Sequence, residues 1–386
     1  MATQVTRKRP RTQADEHDKP PAKREPDLDN GDLGGAEASA SRRRAEQQTG
    51  EAQVFKKDEE FWFDDGTVIL VACDIEFRFY KGLLASVSPV FKQLFADCRA
   101  VRTVRMDQEQ TFSCPVVRVS DSPEDLRYVL RTCASKRPGR LYDSEEREPS
   151  YQEISAAIRL GRKYKIAELY SKSMEFLQSH FPTTLPQHWT TAADIPPGWS
   201  TLDAIGIINL ARLTGKLSLL PSAFVTCICD TSPNPNSIFR GNAGEGESSK
   251  EHKLSPNDLA TCFRGKTALR SATIGAVFRT FSPAGVSPGC KKDAPACKTA
   301  LSEVLLGLGD KLDLLLDGDP FLSFGKFIGT GPRGALGVCQ PCMDMVRERG
   351  RRERQSVWAR LPEILGIGVP GWSAPPSLTQ AEGNAT

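Results

Sequence analysis

One stretch constrains the fold more than any other: Asp74-Ile-Glu-Phe-Arg-Phe-Tyr-Lys-Gly-Leu-Leu-Ala-Ser-Val-Ser-Pro-Val-Phe-Lys-Gln-Leu-Phe95. In Phe77-Arg78-Phe79 apolar and charged residues alternate, the period of a half-buried strand. Leu83, Leu84 and Val87 then recur at helical spacing. Ser88-Pro89 restarts the chain, because serine caps a helix and proline fits a first turn whose N–H groups lack intrahelical partners. Phe91, Leu94 and Phe95 give the second helix an apolar face. Strand, helix, capped restart and helix follow one another without a catalytic group among them.

The same grammar extends on both sides. Phe61-Trp62-Phe63, Asp64-Asp65-Gly66 and Thr67–Cys73 read as a hairpin turning at the Asp-Gly pair, which tolerates positive φ. Val68–Cys73 is a continuous apolar run, as in a strand covered on both faces. Arg99–Gln110 is polar and reads as a loop, and Cys114–Ser120 as another strand. Ser122-Pro123-Glu124-Asp125 sets a cap, a first-turn proline and acids at the positive end of a helix. Ser150-Tyr-Gln-Glu153 is a capping box ahead of Ile154, Ala157, Ile158 and Gly161. Leu169, Ser173, Phe176 and Leu177 mark a last helix ending at Phe181-Pro182.

These pieces resemble the BTB/POZ family. The resemblance spans residues 57–182. It is carried by Asp65-Gly66, Phe77 through Lys81, Leu84-Ala85, Ser88-Pro89-Val90-Phe91, Leu94-Phe95 and Leu160-Gly-Arg-Lys-Tyr164. It implies an α+β fold: a BTB/POZ domain over 55–182, a small sheet flanked by helical hairpins. It also implies a non-enzymatic role in protein–protein interaction, with other proteins or a second copy as partner, in a setting such as nuclear regulation. The alternative is a substrate adaptor of a cullin-type ubiquitin ligase, but no downstream substrate-binding module is legible.

Beyond 182 the chain reads as mainly helical to about residue 370. Leu202, Ile205, Ile208 and Leu213 suggest one helix. Ser255-Pro256 opens another with Leu259, Cys262 and Phe263. Ala296–Leu316 and Pro341–Leu365 suggest two more. Residues 231–254, rich in Gly, Ser, Asn, Pro and Glu, read as an exposed, mobile loop, and 371–386 as a disordered tail. Residues 1–54 form a disordered mixed-charge tail. Its first 50 residues hold ten Lys/Arg and nine Asp/Glu but no Ile, Phe, Trp or Tyr, too little apolar surface to offset the entropy of ordering. Within it Arg7, Lys8, Arg9 and Arg11, then Lys19, Lys23 and Arg24, form two basic clusters with the layout of a bipartite nuclear-import signal. A solubilising tail is the plainer reading of the same charges. Apolar content of 39% and charged content of 26% are ordinary for a globular protein. A net charge of +3 is too small to draw nucleic acid by field alone. No apolar run approaches the roughly 20 residues of a membrane span. With no export signal, the expected location is nucleus or cytoplasm.

Two motifs fail on chemistry. Gly285-Val-Ser287-Pro288-Gly289 has the spacing of a nucleophile elbow, yet Pro288 stands where a backbone N–H must donate to the oxyanion. Gly329-Thr-Gly331-Pro-Arg-Gly334 lacks the strand–turn–helix context of a dinucleotide site. No catalytic or cofactor-binding residues are assigned. Cys339-Gln-Pro-Cys342 is the strongest chemical signal among eleven cysteines. Two thiolates at this spacing supply half of a tetrahedral zinc site, and Cys290 and Cys297 are the nearest candidates for the other half. Because the Cys290–Cys297 gap is long, packed reduced thiols are the preferred reading and zinc the alternative. The run Arg347–Arg354 is interleaved with glutamates at helical spacing, which favours a solvated face over a phosphate-binding stripe. Cys-x-x-Cys, these arginines and Trp358-Ala-Arg-Leu361-Pro362 together resemble the tails of BTB proteins of mushroom-forming fungi.

Overall fold

The computed structural model describes residues 55–105, 111–134, 147–186, 195–229, 238, 253–291, 294–316, 319–327 and 337–372. The tail at 1–54 with both basic clusters, Gly329–Gly334, most of 231–254 and everything after Trp372 lie outside the described residues.

The chain is α+β: a five-stranded mixed sheet followed by helices. Strands β1 (Lys56–Trp62), β2 (Val68–Ala72) and β3 (Ile75–Phe79) precede helices α1 (Lys81–Val87) and α2 (Pro89–Asp97). Strands β4 (Val101–Arg105) and β5 (Thr111–Val119) lead to α3 (Pro123–Ala134), α4 (Tyr151–Lys163) and α5 (Ala167–His180). The sheet order is β1-β3-β2-β5-β4.

All five residues of β2 are buried, as its unbroken apolar run requires, and the strand lies between antiparallel β3 and parallel β5. This corrects the hairpin expected between β1 and β2. A turn does form at Phe63–Gly66, but β3 lies between the two strands and pairs with β1 in parallel. Gly66 is needed for space rather than for positive φ. A β-carbon there would sit 2.8 Å from the Arg78 side chain, whose Nε donates to the Gly66 carbonyl. The positive φ belongs to Cys73 (51°), in the tight turn joining β2 to β3. The polar stretch read as a loop is in part β4, an edge strand paired antiparallel with β5. Its Arg102 makes a bidentate pair with buried Glu76, which explains how a charged segment holds a sheet edge.

The caps form as read. Ser88 Oγ accepts from the Phe91 N–H and donates to the Tyr164 carbonyl, tying α2 to the end of α4. Ser122, Ser150 and Ser255 cap their helices, Ser150 within a complete box with Glu153. One face of the sheet packs Val68, Leu70, Phe77 and Phe79 against Leu84, Phe91, Leu126 and Leu160 of the helices. The other carries a smaller cluster around Ile69, Val71 and Cys114.

The remaining helices are α6 (Asp203–Thr214), α7 (Leu220–Ile228), α8 (Pro256–Thr280), α9 (Ala294–Leu306), α10 (Leu312–Leu316), α11 (Gln340–Ala359) and α12 (Leu361–Leu365). Sequence periodicity does not show α7, because every one of its residues is buried and an all-round apolar helix has no polar face. The segment 296–316 breaks after Leu306, where a 3-10 turn intervenes. The last helical segment breaks at Arg360, since Pro362 suits the first turn of a new helix rather than the interior of an old one. From the 231–254 stretch, Ile238 and Leu254 pack against the core. No helix among the described residues is long and apolar enough to cross a membrane.

One core runs across residue 182. Tyr151, Ile154 and Ile158 of α4 and Met174 and Leu177 of α5 join Ile205, Ile208, Phe224 and the residues of α8, α11 and α12. Gly206 is where α6 meets α4: a β-carbon there would fall inside the Tyr151 phenol. Tyr151 is buried and lies edge-on to Trp199, with ring centroids 5.5 Å apart, so it has little room to retreat. Gly206→Ala is therefore expected to destabilise the protein by about 3 kcal/mol, the upper range for overpacking. Urea denaturation should show a lower midpoint at unchanged slope; an unchanged midpoint counts against this packing.

Candidate metal centre

Four cysteines from three parts of the C-terminal half converge. Cys290 sits at the end of the Ser287-Pro288-Gly289 turn, where its N–H donates to the Ser287 carbonyl at 3.0 Å. The elbow-like motif is thus a turn that presents a cysteine. Cys297 lies in the first turns of α9. Cys339 is the N-cap of α11, and Cys342 follows within its first turn, after Pro341. Gly337, at φ 58°, turns the chain into this helix against Ala300 of α9. Arg349, two turns further along α11, donates to the Ser282 and Gly285 carbonyls at 3.1 and 3.2 Å and holds the Cys290 loop in place.

The four Sγ atoms all lie within 4.8 Å of one another. Cys290 to Cys339 is 3.6 Å, Cys290 to Cys297 is 3.7 Å, and Cys297 to Cys339 is 3.9 Å. A tetrahedron with metal–sulfur bonds of about 2.3 Å has edges of about 3.8 Å. Disulfide sulfurs would be about 2.05 Å apart, so these four cysteines are thiols. The group could hold a metal ion. Cys297 and Cys342 are fully buried, Cys339 is buried, and Cys290 is half-buried. Val286 and Val338 complete the wall.

The electrostatics favour a thiolate at Cys339. Burial pushes its thiol up, but the backbone of Cys342 and Lys291 and the thiols of Cys290 and Cys342 outweigh this and bring it to about 6. Its place at a helix N-terminus acts in the same direction. Burial, with the neighbouring Cys339 and Cys297 thiols, pushes Cys342 up. The isolated cysteines differ: burial alone pushes Cys133 up to about 12, and burial with nearby Asp258 does the same to Cys262. They are packed, inert thiols.

The arginine run on α11 divides by face. Arg351 and Arg352 pair with Glu348, and Arg347 with Asp344, as on a solvated surface. Arg349 and Arg354 turn inward to loop carbonyls, Arg354 reaching Phe321 at 2.9 Å. Sequence spacing brought out all four cysteines, but not the arginine that clamps their loop. Arg349 looks like its neighbours until the helix is set against residues 282–285. Arg7, Lys8, Arg9, Arg11, Lys19, Lys23 and Arg24 lie outside the described residues. No protein-family model matches this chain, and no curated protein matches it.

Proposed function

We propose that this chain is a non-enzymatic protein-interaction protein acting through a BTB/POZ-type domain, and that a structural zinc ion held by Cys290, Cys297, Cys339 and Cys342 staples its helical half. The observation that carries the interaction reading is on the α1–α2 pair. Leu84, Phe91 and Phe95 close the core on one side. On the other, Leu83 and Val87, one turn apart on α1, are 43% and 42% exposed, and Leu94 of α2 is also exposed. Apolar side chains grouped on a helix surface serve contact with another protein better than contact with water. Partners are other proteins, including a second copy, and the basic clusters at 7–11 and 19–24 direct the chain to the nucleus. The zinc reading rests on the sulfur geometry: four thiolates fill a tetrahedron and leave no open position for catalysis.

The test is Leu83→Glu with Val87→Glu, two surface changes that spare the core. Wild-type protein should show concentration-dependent association by sedimentation velocity, and the double variant should lose at least about tenfold in association constant, as expected when a central apolar contact is replaced by charge. A wild-type chain that stays monomeric, and that recovers the same cellular proteins with or without the two glutamates, would remove this surface from consideration.

A further inference from the structure

We infer that Cys290 is an oxidation site: a hydroperoxide reacts first at this sulfur, a Cys290–Cys339 disulfide follows, and the attachment of α9 to α11 is released. The inference rests on the zinc reading above. Three features of the cluster converge on it.

The first is access. Cys297, Cys339 and Cys342 are buried, and all three lie on or at the cap of a helix, whereas Cys290 is half-buried on a Ser-Pro-Gly turn. Oxidation of a thiol needs access as well as reactivity, and Cys290 is the one sulfur of the four that is not buried, so a small peroxide meets it before the others. The second is reach. Cys339 and Cys297 lie 3.6 and 3.7 Å from Cys290. Cys339 is the N-cap of α11, ahead of its first helical turn, whereas Cys297 lies within α9, so pairing with Cys339 asks for movement of a turn and a cap residue and leaves both helices in place. The third is consequence. Of the 13 residues of α9 only Cys297, Ala300 and Leu301 are buried; Val304 and Leu305 pack partly buried against the core, and Leu306 is 82% exposed. One of the three buried anchors of this helix is therefore one of the four cysteines. By contrast α11 is also anchored by Val346, Val357 and Trp358 and does not depend on the sulfurs alone.

The chemistry balances. The Cys290 thiolate attacks the terminal oxygen of the hydroperoxide, the O–O bond breaks, and a sulfenic acid and an alcohol (water, for hydrogen peroxide) result after one proton is taken up. The Cys339 thiolate then attacks the sulfenic sulfur, an S–S bond forms, and hydroxide leaves and takes a second proton as water. Two thiolates lose two electrons and the peroxide gains them. With two thiolates left, the four-ligand site no longer exists and zinc departs. A dithiol reductant restores the thiols, because sulfenic acid and disulfide are the reversible steps of cysteine oxidation.

The experiment uses full-length, zinc-loaded protein carrying Cys73→Ser, which removes the exposed thiol on the β2–β3 turn. Hydrogen peroxide is titrated while a chromogenic chelator reports free zinc, peptide mapping after alkylation identifies the disulfide, and hydrogen exchange is followed over α9 and α11. The expected result is one zinc released per chain in step with a Cys290–Cys339 disulfide, with protection lost over 294–306 and kept over 343–359. Cys290→His, which keeps an ordinary zinc ligand without a thiol, should slow release about tenfold or more. A first disulfide that omits Cys290, or a histidine variant releasing zinc at the wild-type rate, overturns the inference and leaves the zinc reading standing. Protein that carries no zinc when prepared with the metal in its medium overturns both. Should the histidine variant fail to fold, the wild-type peptide map alone decides.

Discussion

Replacing Cys342 with alanine is expected to strip the metal from the protein and to lower the melting midpoint of its C-terminal helices by about 10 °C, with Cys262→Ala as the contrasting substitution. Structural zinc contributes about 10–16 kcal/mol of apparent folding free energy where a small peptide depends on it wholly. Here α11 has its own apolar anchors in Val346, Val357 and Trp358, so the site carries only part of the load. A third of the peptide figure, about 4 kcal/mol, corresponds to roughly 10 °C in a unit of this size. Cys342 is the informative position because it is fully buried and touches the other sulfurs rather than solvent. Cys262 is also buried, but its thiol is pushed up by burial and Asp258, and it sits in the hydrophobic core and in no metal-ligand group among the described residues. Its alanine variant loses one sulfur's packing and no metal. Elemental analysis and differential scanning calorimetry with and without a chelator make the comparison. One zinc in wild type and Cys262→Ala and none in Cys342→Ala is the expected pattern. No zinc in any sample, with melting unchanged by chelator, would leave four packed thiols.

The sequence was most legible where a local rule and the fold agree. Ser88-Pro89, Ser122-Pro123, Ser150–Glu153 and Ser255-Pro256 each mark a helix start because a cap is satisfied within three residues of itself. It was least legible where the partner is distant. The turn at Asp65-Gly66 has the composition of a hairpin, but strand order is set by which apolar strand needs two neighbours, and β2 takes β3 and β5. Gly66 is required by Arg78, twelve residues away, through space rather than through φ. Strand β4 is held by an arginine–glutamate pair spanning 26 residues, which no local window contains. At the four-cysteine cluster the Cys-x-x-Cys half was regular because both cysteines share one helix start. The other half looked irregular because a turn and a separate helix supply one cysteine each, so no fixed spacing is needed. Convergence of the four sulfurs depends on the fold of α8, α9 and α11 and becomes visible only with it.

A fragment ending at residue 182 is expected to be insoluble or molten when expressed alone. The boundary read from the capping and turn signals falls between helices that share one core. Tyr151, Ile154, Ile158, Met174, Leu177 and Phe181 pack against α6, α7 and the helices beyond, and truncation at 182 would bare all six. At about 1.5–3 kcal/mol for each side chain returned to water, the loss is on the order of 10 kcal/mol. That is comparable with the whole stability of an ordinary domain, about 5–15 kcal/mol. One polar link is cut as well: Trp199 donates its indole N–H to the Pro149 carbonyl at 2.8 Å. Extending the fragment to residue 228 adds α6 and α7 and covers the face of α4, but it leaves Phe224 and Ile228 without their partners on α8 and α12. Only the chain through Trp372 closes the core. Fragments 55–182, 55–228 and 55–372 should therefore rank in that order for solubility, dispersion of amide NMR signals and loss of ANS binding. A monomeric 55–182 fragment with a well-dispersed spectrum and no ANS binding would show that the sheet and its helices hold together without the second half, and that the shared core joins two domains that are each already folded.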